Sequence, residues 1–350
     1  MRTSGGSPSG GTVAVAGSGG TVGTTGGTSS GGSGGCAGTV VPVQVPPVNA
    51  IFILDRSSSM AGATSPTRWD MLLQGFTSFF QSVQSPAMFA SVAFFPAPCD
   101  LDLDAGGGCV CRADEYNPAV ATQGLMLPLT QIVGHTTNFR YLFDNTTPLG
   151  GTPTIAALQG SYTYAASVQA RVAGSVTYVV LLTDGPPGLA VTVDGGVVGI
   201  EGCTGNNFAT IETMTQTYAG QGIKTYVFGM GSIANLDRVA TAGGTALVTI
   251  GDTSQLLAAL NALPKPVFSC TQPVPATTGG DPNMLNVFFT NGSSSERLIP
   301  NNPSCSRGDG SGWYLSGNDI VLCTPTCNQL KQDPTTTLSA QFGCPTIVVP

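Results

Sequence analysis

Residues 49–59, NAIFILDRSSS, join a run of apolar side chains directly to a group of oxygen-bearing ones. The run 49–54 is almost continuously apolar, which is typical of a central strand in a parallel sheet with both faces buried. Asp55, Ser57 and Ser59 follow at alternate positions, where such a strand would emerge from the sheet. Carboxylate and hydroxyl oxygens are hard ligands that suit a small divalent cation. The stretch therefore predicts a cation site at the carboxyl end of a buried strand.

Two later segments carry further oxygen ligands. Residues 150–154, GGTPT, contain Thr152, and residues 179–185, VVLLTDG, form a second apolar run that ends at Asp184. Each segment alone is ordinary, because Asp-Gly after a strand is a common turn and Gly-Thr-Pro is a common helix start. However, segments far apart in sequence meet at the carboxyl edge of an open α/β sheet. Their joint order and spacing favour one shared metal site over unrelated turns.

Together these residues resemble the metal-ion-dependent adhesion site of the von Willebrand factor type A domain, written Asp-x-Ser-x-Ser, then Thr, then Asp. The resemblance extends over residues 47–263. It implies that the hydroxyls contact the metal, that the aspartates act directly or through water, and that one coordination position stays open for an acidic group of a partner. The implied metal is Mg²⁺, with Mn²⁺ or Ca²⁺ as alternatives. The pattern falls on Asp55, Ser57, Ser59, Thr152 and Asp184.

Apolar strands alternate with helical patterns through this region, which predicts a sheet covered by helices on both faces. In residues 66–83, for example, large apolar side chains recur every three to four positions, as on the buried face of a helix. The predicted fold class is α/β, with a doubly wound, mostly parallel sheet of Rossmann-like type, in agreement with the resemblance. The predicted strands are 49–54, 90–95, 177–183, 223–229 and 246–250, and the predicted helices are 66–83, 137–145, 152–171, 206–220, 236–242 and 253–263.

Composition divides the chain into three predicted parts. Residues 1–46 are predicted to form a flexible, disordered tether, whose first 38 residues are rich in Gly, Ser and Thr. Residues 47–263 are the type A domain, and residues 264–350 form a small α+β extension with five of the ten cysteines. The extension resembles the Cys-rich tail of myxobacterial surface proteins and lipoproteins that carry type A domains. Because five is odd, one of its cysteines either stays free or pairs outside the extension.

The charge balance and the cysteines exclude some classes of function and location. A net charge of −7, without a basic stripe, argues against nucleic acid as a partner. Ten cysteines without a complete metal-thiolate motif favour disulfides in an oxidising compartment. No apolar run approaches the roughly 20 residues of a membrane span. We therefore expect an extracellular, outer-membrane or periplasmic surface location, with the tether holding the domain away from that surface.

The amino end does not read as an export signal, since a charged segment followed by an apolar one is missing from its first residues. Our hypothesis is that Met1 lies inside a longer reading frame, whose front carries a signal or lipoprotein sequence. A stop codon in frame shortly before Met1, with no other export route, would contradict it.

Three other signals are weaker. Alternating aspartates from Asp100 suggest a calcium loop, but Cys111 stands at the twelfth position, where such loops need Glu. His135 is the single histidine and lies in a polar segment, which argues against histidine-dependent catalysis. Cys323 and Cys327 suggest half of a zinc site, but nothing in the sequence completes it, so disulfides are favoured. The sequence predicts no enzyme activity.

The sequence favours a binding or adhesion protein that uses Mg²⁺ or Mn²⁺ to capture a carboxylate of a protein partner. Two alternatives stay open. The domain could recruit substrates or subunits to an enzyme complex, although the chain has no Gly-rich loop ending in Gly-Lys-Ser/Thr. It could instead be a structural domain of an envelope or matrix assembly, in which the metal only stabilises the loops.

Overall fold

The computed structural model describes residues 39–43, 45–62, 64–98, 112–120, 125–172, 174–188, 190–193, 196–199, 206–276, 284–291 and 296–349. The predicted tract 1–38 and the loop with the calcium-like aspartates lie outside these residues, as does Cys203. The strands are β1 Thr39–Val43, β2 Val48–Asp55, β3 Met88–Phe95, β4 Met126–Gln131, β5 Val176–Thr183, β6 Ala190–Val193, β7 Gly196–Gly199, β8 Lys224–Gly229, β9 Leu247–Thr249, β10 Thr271–Pro273, β11 Leu285–Asn291, β12 Arg297–Ile299, β13 Trp313–Ser316, β14 Asp319–Leu322 and β15 Thr336–Phe342. The helices are α1 Arg68–Ser82, α2 Thr136–Asp144, α3 Thr154–Arg171, α4 Phe208–Gly220, α5 Leu236–Ala242, α6 Thr253–Asn261 and α7 Thr324–Lys331.

The central sheet has six strands in the order β4-β3-β2-β5-β8-β9. All neighbouring strands run parallel except β3 and β4, which are antiparallel. The chain passes outward from β2 to β3 and β4, returns to β5 on the other side of β2, and continues outward to β8 and β9. The direction of winding therefore reverses between β2 and β5. This confirms the predicted doubly wound, mostly parallel sheet and adds the antiparallel edge strand β4, which the sequence did not indicate.

Two apolar cores lie on the two faces of this sheet. One core joins the sheet to α1, α2 and α6, and the other joins it to α3, α4 and α5. Strand β2 is buried along its whole length, and its successive side chains alternate between the two cores: Phe52 faces the first, whereas Ile51 and Ile53 face the second. The continuous apolar run at 49–54 therefore arises because this strand contacts helices on both sides.

Helix α1 begins next to the carboxyl edge of the sheet. The Thr67 hydroxyl accepts the backbone N–H of Asp70, and the Asp70 side chain accepts the backbone N–H of Thr67, so the pair forms a capping box. Phe76, Phe79 and Phe80 on its buried face pack around Phe52 of β2, with ring centroids 5.1 to 6.1 Å away. This packing holds the amino end of α1, with Arg68, beside the end of β2.

The carboxyl-terminal part contains two further sheets, β1-β15-β11-β12 and β10-β14-β13, together with α7. Its core surrounds Trp313, which is 1% exposed. Two disulfides, Cys270–Cys327 and Cys305–Cys323, confirm that disulfides are favoured over a zinc half-site. Cys344 is also disulfide-bonded. Because the other four cysteines of this part pair with one another, the partner of Cys344 lies outside residues 264–350.

Strand β1 differs from the predicted tether 1–46. Residues 39–43 pair antiparallel with β15, in the register Thr39 with Phe342 through Val43 with Leu338, and Val43 enters the core of the carboxyl-terminal part. Composition did not reveal this strand, because its partner lies about three hundred positions further along the chain. The carboxyl-terminal sheet is therefore built from both sides of the α/β domain in sequence.

Both connections between the two parts run near the start of β5. The backbone N–H of Val176 donates to the carbonyl of Pro47, and the hydroxyl of Tyr178 donates to the carbonyl of Pro264. These contacts lie at the amino end of the strand, whereas Asp184 follows its carboxyl end. At a rise of about 3.3 Å per residue, the length of β5 separates them by roughly 20 Å. Both connections therefore lie at the opposite end of β5 from Asp184.

Candidate metal site

Four of the five predicted ligand residues meet at the carboxyl edge of the sheet. Asp55 is the last residue of β2, Ser57 and Ser59 follow it, and Asp184 directly follows β5. Strands β2 and β5 are the neighbours between which the winding of the sheet reverses. Loops diverge at such a point and leave a crevice between them, which is where open α/β sheets place their binding sites.

A connected series of hydrogen bonds joins these four side chains. Asp55 accepts the Ser57 backbone N–H at 2.7 Å and also bonds the Ser57 hydroxyl. The Ser57 and Ser59 hydroxyl oxygens lie 3.0 Å apart, and Ser59 donates to Oδ1 of Asp184 at 2.7 Å. The alternate spacing of Asp55, Ser57 and Ser59 thus brings three oxygen-bearing side chains together with the carboxylate of a different strand.

Asp55 is completely buried, and its described partners are all neutral. Its second carboxylate oxygen accepts the Thr183 hydroxyl at 2.6 Å. Loss of hydration raises the pKa of Asp55 to about 6, although the hydrogen bonds from Thr183 and Ser57 oppose this rise; the negative charge of Asp184 adds to it. Burying a carboxylate among neutral groups is unfavourable, and a divalent cation beside it would favour the charged form.

Thr152 is held next to this group by its backbone. It forms a two-way bridge with Gly188 in the loop after Asp184, with N–H to carbonyl distances of 2.7 and 3.1 Å. Asn206 donates its side-chain amide to the Thr152 carbonyl at 3.3 Å. Among the described contacts, none joins the Thr152 hydroxyl to the other four side chains. Helix α3 begins at Thr154 and not at the predicted Thr152, so Thr152 belongs to the loop before the helix.

Arg56 connects the loops around the site, a role that the sequence did not reveal. Its guanidinium is buried and donates from Nε to the Pro96 carbonyl at 2.7 Å and from Nη1 to the Thr147 carbonyl at 3.0 Å. Its backbone carbonyl accepts the N–H of Leu149 at 2.6 Å, and Ser58 exchanges two hydrogen bonds of 3.0 Å with Gly150. The loop leading to Thr152 is thereby fastened to the loop that follows β2.

Arg68 supplies a positive charge to the site. Its Nη1 lies 2.8 Å from Oδ2 of Asp184, whose side chain is completely buried, whereas the Arg68 side chain is 40% exposed. The sequence did not single out this residue, because it lies nine positions beyond Ser59. The capped start of α1 brings it back to the site.

The donor set fits a hard divalent cation. Two carboxylates and two hydroxyls from adjacent strand ends form one connected group, and Thr152 lies on the neighbouring loop. Such oxygens are the ligands that Mg²⁺ and Mn²⁺ take in proteins. The buried carboxylate of Asp55 has only neutral described partners, so a bound cation would supply the charge that its surroundings lack.

The remaining predicted signals lie away from this edge. His135 is exposed at the start of α2, with Nδ1 3.3 Å from the Val133 carbonyl. No group of three or more His, Cys, Asp or Glu side chains comes together within the described ranges. Nor does any helix in the described part of the chain combine the length and the apolar character needed to cross a membrane.

Comparison with known proteins identifies no family. No protein-family model and no curated protein matches the chain. Among solved structures, the pilus adhesin SpaC of Lactobacillus rhamnosus GG in its open conformation is 13% identical with a TM-score of 0.44, covering 86% of this chain and 39% of its own. The SpRpn10 VWA domain is 13% identical with a TM-score of 0.38, covering 63% and 96%.

A third similar structure is the manganese-loaded TRAP protein of Plasmodium vivax, which is 12% identical with a TM-score of 0.36 and covers 63% of this chain and 74% of its own. The present chain thus spans about two fifths of the length of SpaC. At such identities a similarity concerns the fold alone, and these TM-scores are too low to establish a shared fold. The α/β fold class follows from the strand order and the two helical layers of the chain itself.

Proposed function

We propose that this protein is a metal-dependent binding protein that captures a carboxylate of a protein partner through Mg²⁺ or Mn²⁺. The observation that supports this most directly is the connected series from Asp55 through Ser57 and Ser59 to Asp184 at the reversal point of the sheet. This is a binding role without a chemical step.

Each residue has a distinct part in the proposed site. The hydroxyls of Ser57, Ser59 and Thr152 would coordinate the cation, and Asp55 and Asp184 would balance its charge directly or through water. Neutral hydroxyl ligands leave a bound cation electron-poor, so that an outside carboxylate is attracted to it. The protein positions these groups through the buried end of β2 and the loop that Arg56 fastens.

We also propose that the protein works outside the cytoplasm. The disulfides Cys270–Cys327 and Cys305–Cys323 support this, because disulfides persist in oxidising compartments. Both lie in the carboxyl-terminal part of the chain.

The test is a calorimetric titration of the metal-free protein with Mg²⁺ and with Mn²⁺. We expect binding by the wild type and its loss in Asp55→Ala and Asp184→Ala, with the fold retained by circular dichroism. Asp144→Ala is the matched control, since Asp144 is 60% exposed and pairs only with Arg140 on α2 in the described contacts. Equal cation affinity in the wild type and in both site variants would refute the assignment.

A second measurement separates adhesion from a purely structural use of the metal. Melting temperatures with Mg²⁺ and with chelator are compared with the capture of an envelope extract under the same two conditions. Adhesion requires chelator-sensitive capture that Asp184→Ala abolishes. A large melting shift without chelator-sensitive capture would favour the structural role.

A further inference from the structure

Arg68 is a positively charged group built into the proposed cation site. It comes from the first position of α1, and its Nη1 donates to Oδ2 of Asp184 at 2.8 Å. Its Nη2 lies beside Gly231 in the loop after β8, since a Cβ added to that glycine would be 3.6 Å from Nη2. The guanidinium is therefore positioned between the ends of two neighbouring strands and beside the predicted ligands.

We infer that Arg68 is the internal counter-ion of the cation site and competes with the divalent cation for Asp184. This inference rests on the proposed function. It gives the site a residue that sets how tightly the metal is held, in addition to the residues that hold it.

The geometry of Asp184 creates the competition. Its Oδ1 accepts the hydroxyl of Ser59 and its Oδ2 accepts the guanidinium of Arg68, so both carboxylate oxygens are already engaged. A cation that uses this carboxylate must share it with a fixed positive charge a few ångströms away, and like charges at that distance repel. The cation therefore binds more weakly than it would to the same ligands without Arg68.

The exposure of Arg68 keeps this competition moderate. Its side chain is 40% exposed, so the guanidinium can turn toward water when the cation arrives, whereas the side chain of Asp184 is completely buried and stays in place. An arginine–carboxylate pair of such exposure is a modest interaction, and we expect it to change cation affinity by about two- to fivefold.

The test compares Arg68→Gln, Arg68→Lys and the wild type by calorimetric titration with Mg²⁺ at constant ionic strength. We expect Arg68→Gln to bind Mg²⁺ about two- to fivefold more tightly. Arg68→Lys should lie between it and the wild type, since lysine keeps the charge and loses the planar fork. Arg140→Gln is the matched control, because it removes an exposed arginine–aspartate pair on α2. Its Mg²⁺ affinity should equal that of the wild type.

A readout without metal accompanies the titration. In chelator, Arg68→Gln should melt about 2–4 °C below the wild type, because Asp184 loses its positive partner. Saturating Mg²⁺ should then raise its melting temperature by more than it raises that of the wild type. Both shifts depend on the Arg68–Asp184 pair and on no partner protein.

Two outcomes would overturn the inference in distinguishable ways. If the wild type and Arg68→Gln bind Mg²⁺ with the same affinity, or the variant binds more weakly, Arg68 does not compete and the proposed cation site stands without it. If none of the proteins binds Mg²⁺ or Mn²⁺, the proposed function fails and this inference fails with it. Should Arg68→Gln not fold, Arg68→Lys decides, with tighter binding in support and equal or weaker binding against.

Discussion

Replacing Arg56 with methionine tests whether the buried guanidinium organises the site. Arg56 is 3% exposed, and two of its nitrogens donate to the carbonyls of Pro96 and Thr147. Methionine fills a similar volume but donates no hydrogen bond, so both carbonyls lose a partner. Because one carbonyl follows β3 and the other precedes Thr152, we expect the loops on both sides of the site to loosen together.

The expected loss of stability follows from these contacts. A hydrogen bond from a charged donor contributes about 1.5–3 kcal/mol to the free energy of unfolding. Removing a buried guanidinium also removes its desolvation penalty, which offsets part of that contribution. We expect a net loss of about 3 kcal/mol, which for a domain of this size lowers the melting temperature by about 6–12 °C. Loss of a group that orients metal ligands typically weakens metal binding by about tenfold or more.

The assay is thermal unfolding in chelator by circular dichroism, followed by calorimetric titration with Mg²⁺ at a temperature where the variant is folded. Arg140→Met is the control, since its ion pair with Asp144 is exposed and its loss should change stability by less than about 0.5 kcal/mol. If Arg56→Met melts within about 2 °C of the wild type and binds Mg²⁺ equally well, the assigned role of Arg56 is wrong.

Three further outcomes are expected. Thr152→Ala should leave the melting temperature in chelator unchanged, because the described hydrogen bonds of Thr152 use its backbone. It should weaken Mg²⁺ binding, and an Mg²⁺ affinity equal to that of the wild type would remove Thr152 from the ligand set. Phe80→Ala should lower the free energy of unfolding by about 3–5 kcal/mol in chemical denaturation. The reason is that the Phe80 ring packs in the core with its centroid 4.2 Å from that of Phe139. A loss below about 1 kcal/mol would contradict this packing. Replacing Cys305 and Cys323 with serine removes their disulfide and should destabilise the carboxyl-terminal part by about 3 kcal/mol. The Mg²⁺ affinity should stay unchanged. A changed affinity would show that the carboxyl-terminal part is coupled to the α/β domain.

The α/β architecture was predictable because its strongest signals are local. The apolar run of β2 and the spaced aromatic side chains of α1 each lie within a single stretch of sequence. Strand β4 escaped prediction because it is an edge strand without a fully buried residue, which weakens its pattern. Strand β1 escaped it because its pairing with β15 is a contact between distant parts of the chain.

The candidate site was predictable in its residue types and only partly in its geometry. Asp55, Ser57 and Ser59 lie on one loop, and Asp184 could be placed beside them because parallel strands end at the same edge. The roles of Arg56 and Thr183 depend on their contacts with atoms distant in sequence, namely the Pro96 carbonyl and the Asp55 carboxylate. Sequence spacing carries no such information.

The sequence by itself determined the parallel strands, the helices that cover them and the order of oxygen-bearing residues at the strand ends. It could do so because hydrophobic periodicity and ligand type are properties of short segments. Only the tertiary structure decided that β2 and β5 are the neighbours at the reversal point, that β1 joins the carboxyl-terminal sheet, and that Arg68 pairs with Asp184. These contacts join segments distant in sequence, and such contacts form only when the whole chain packs.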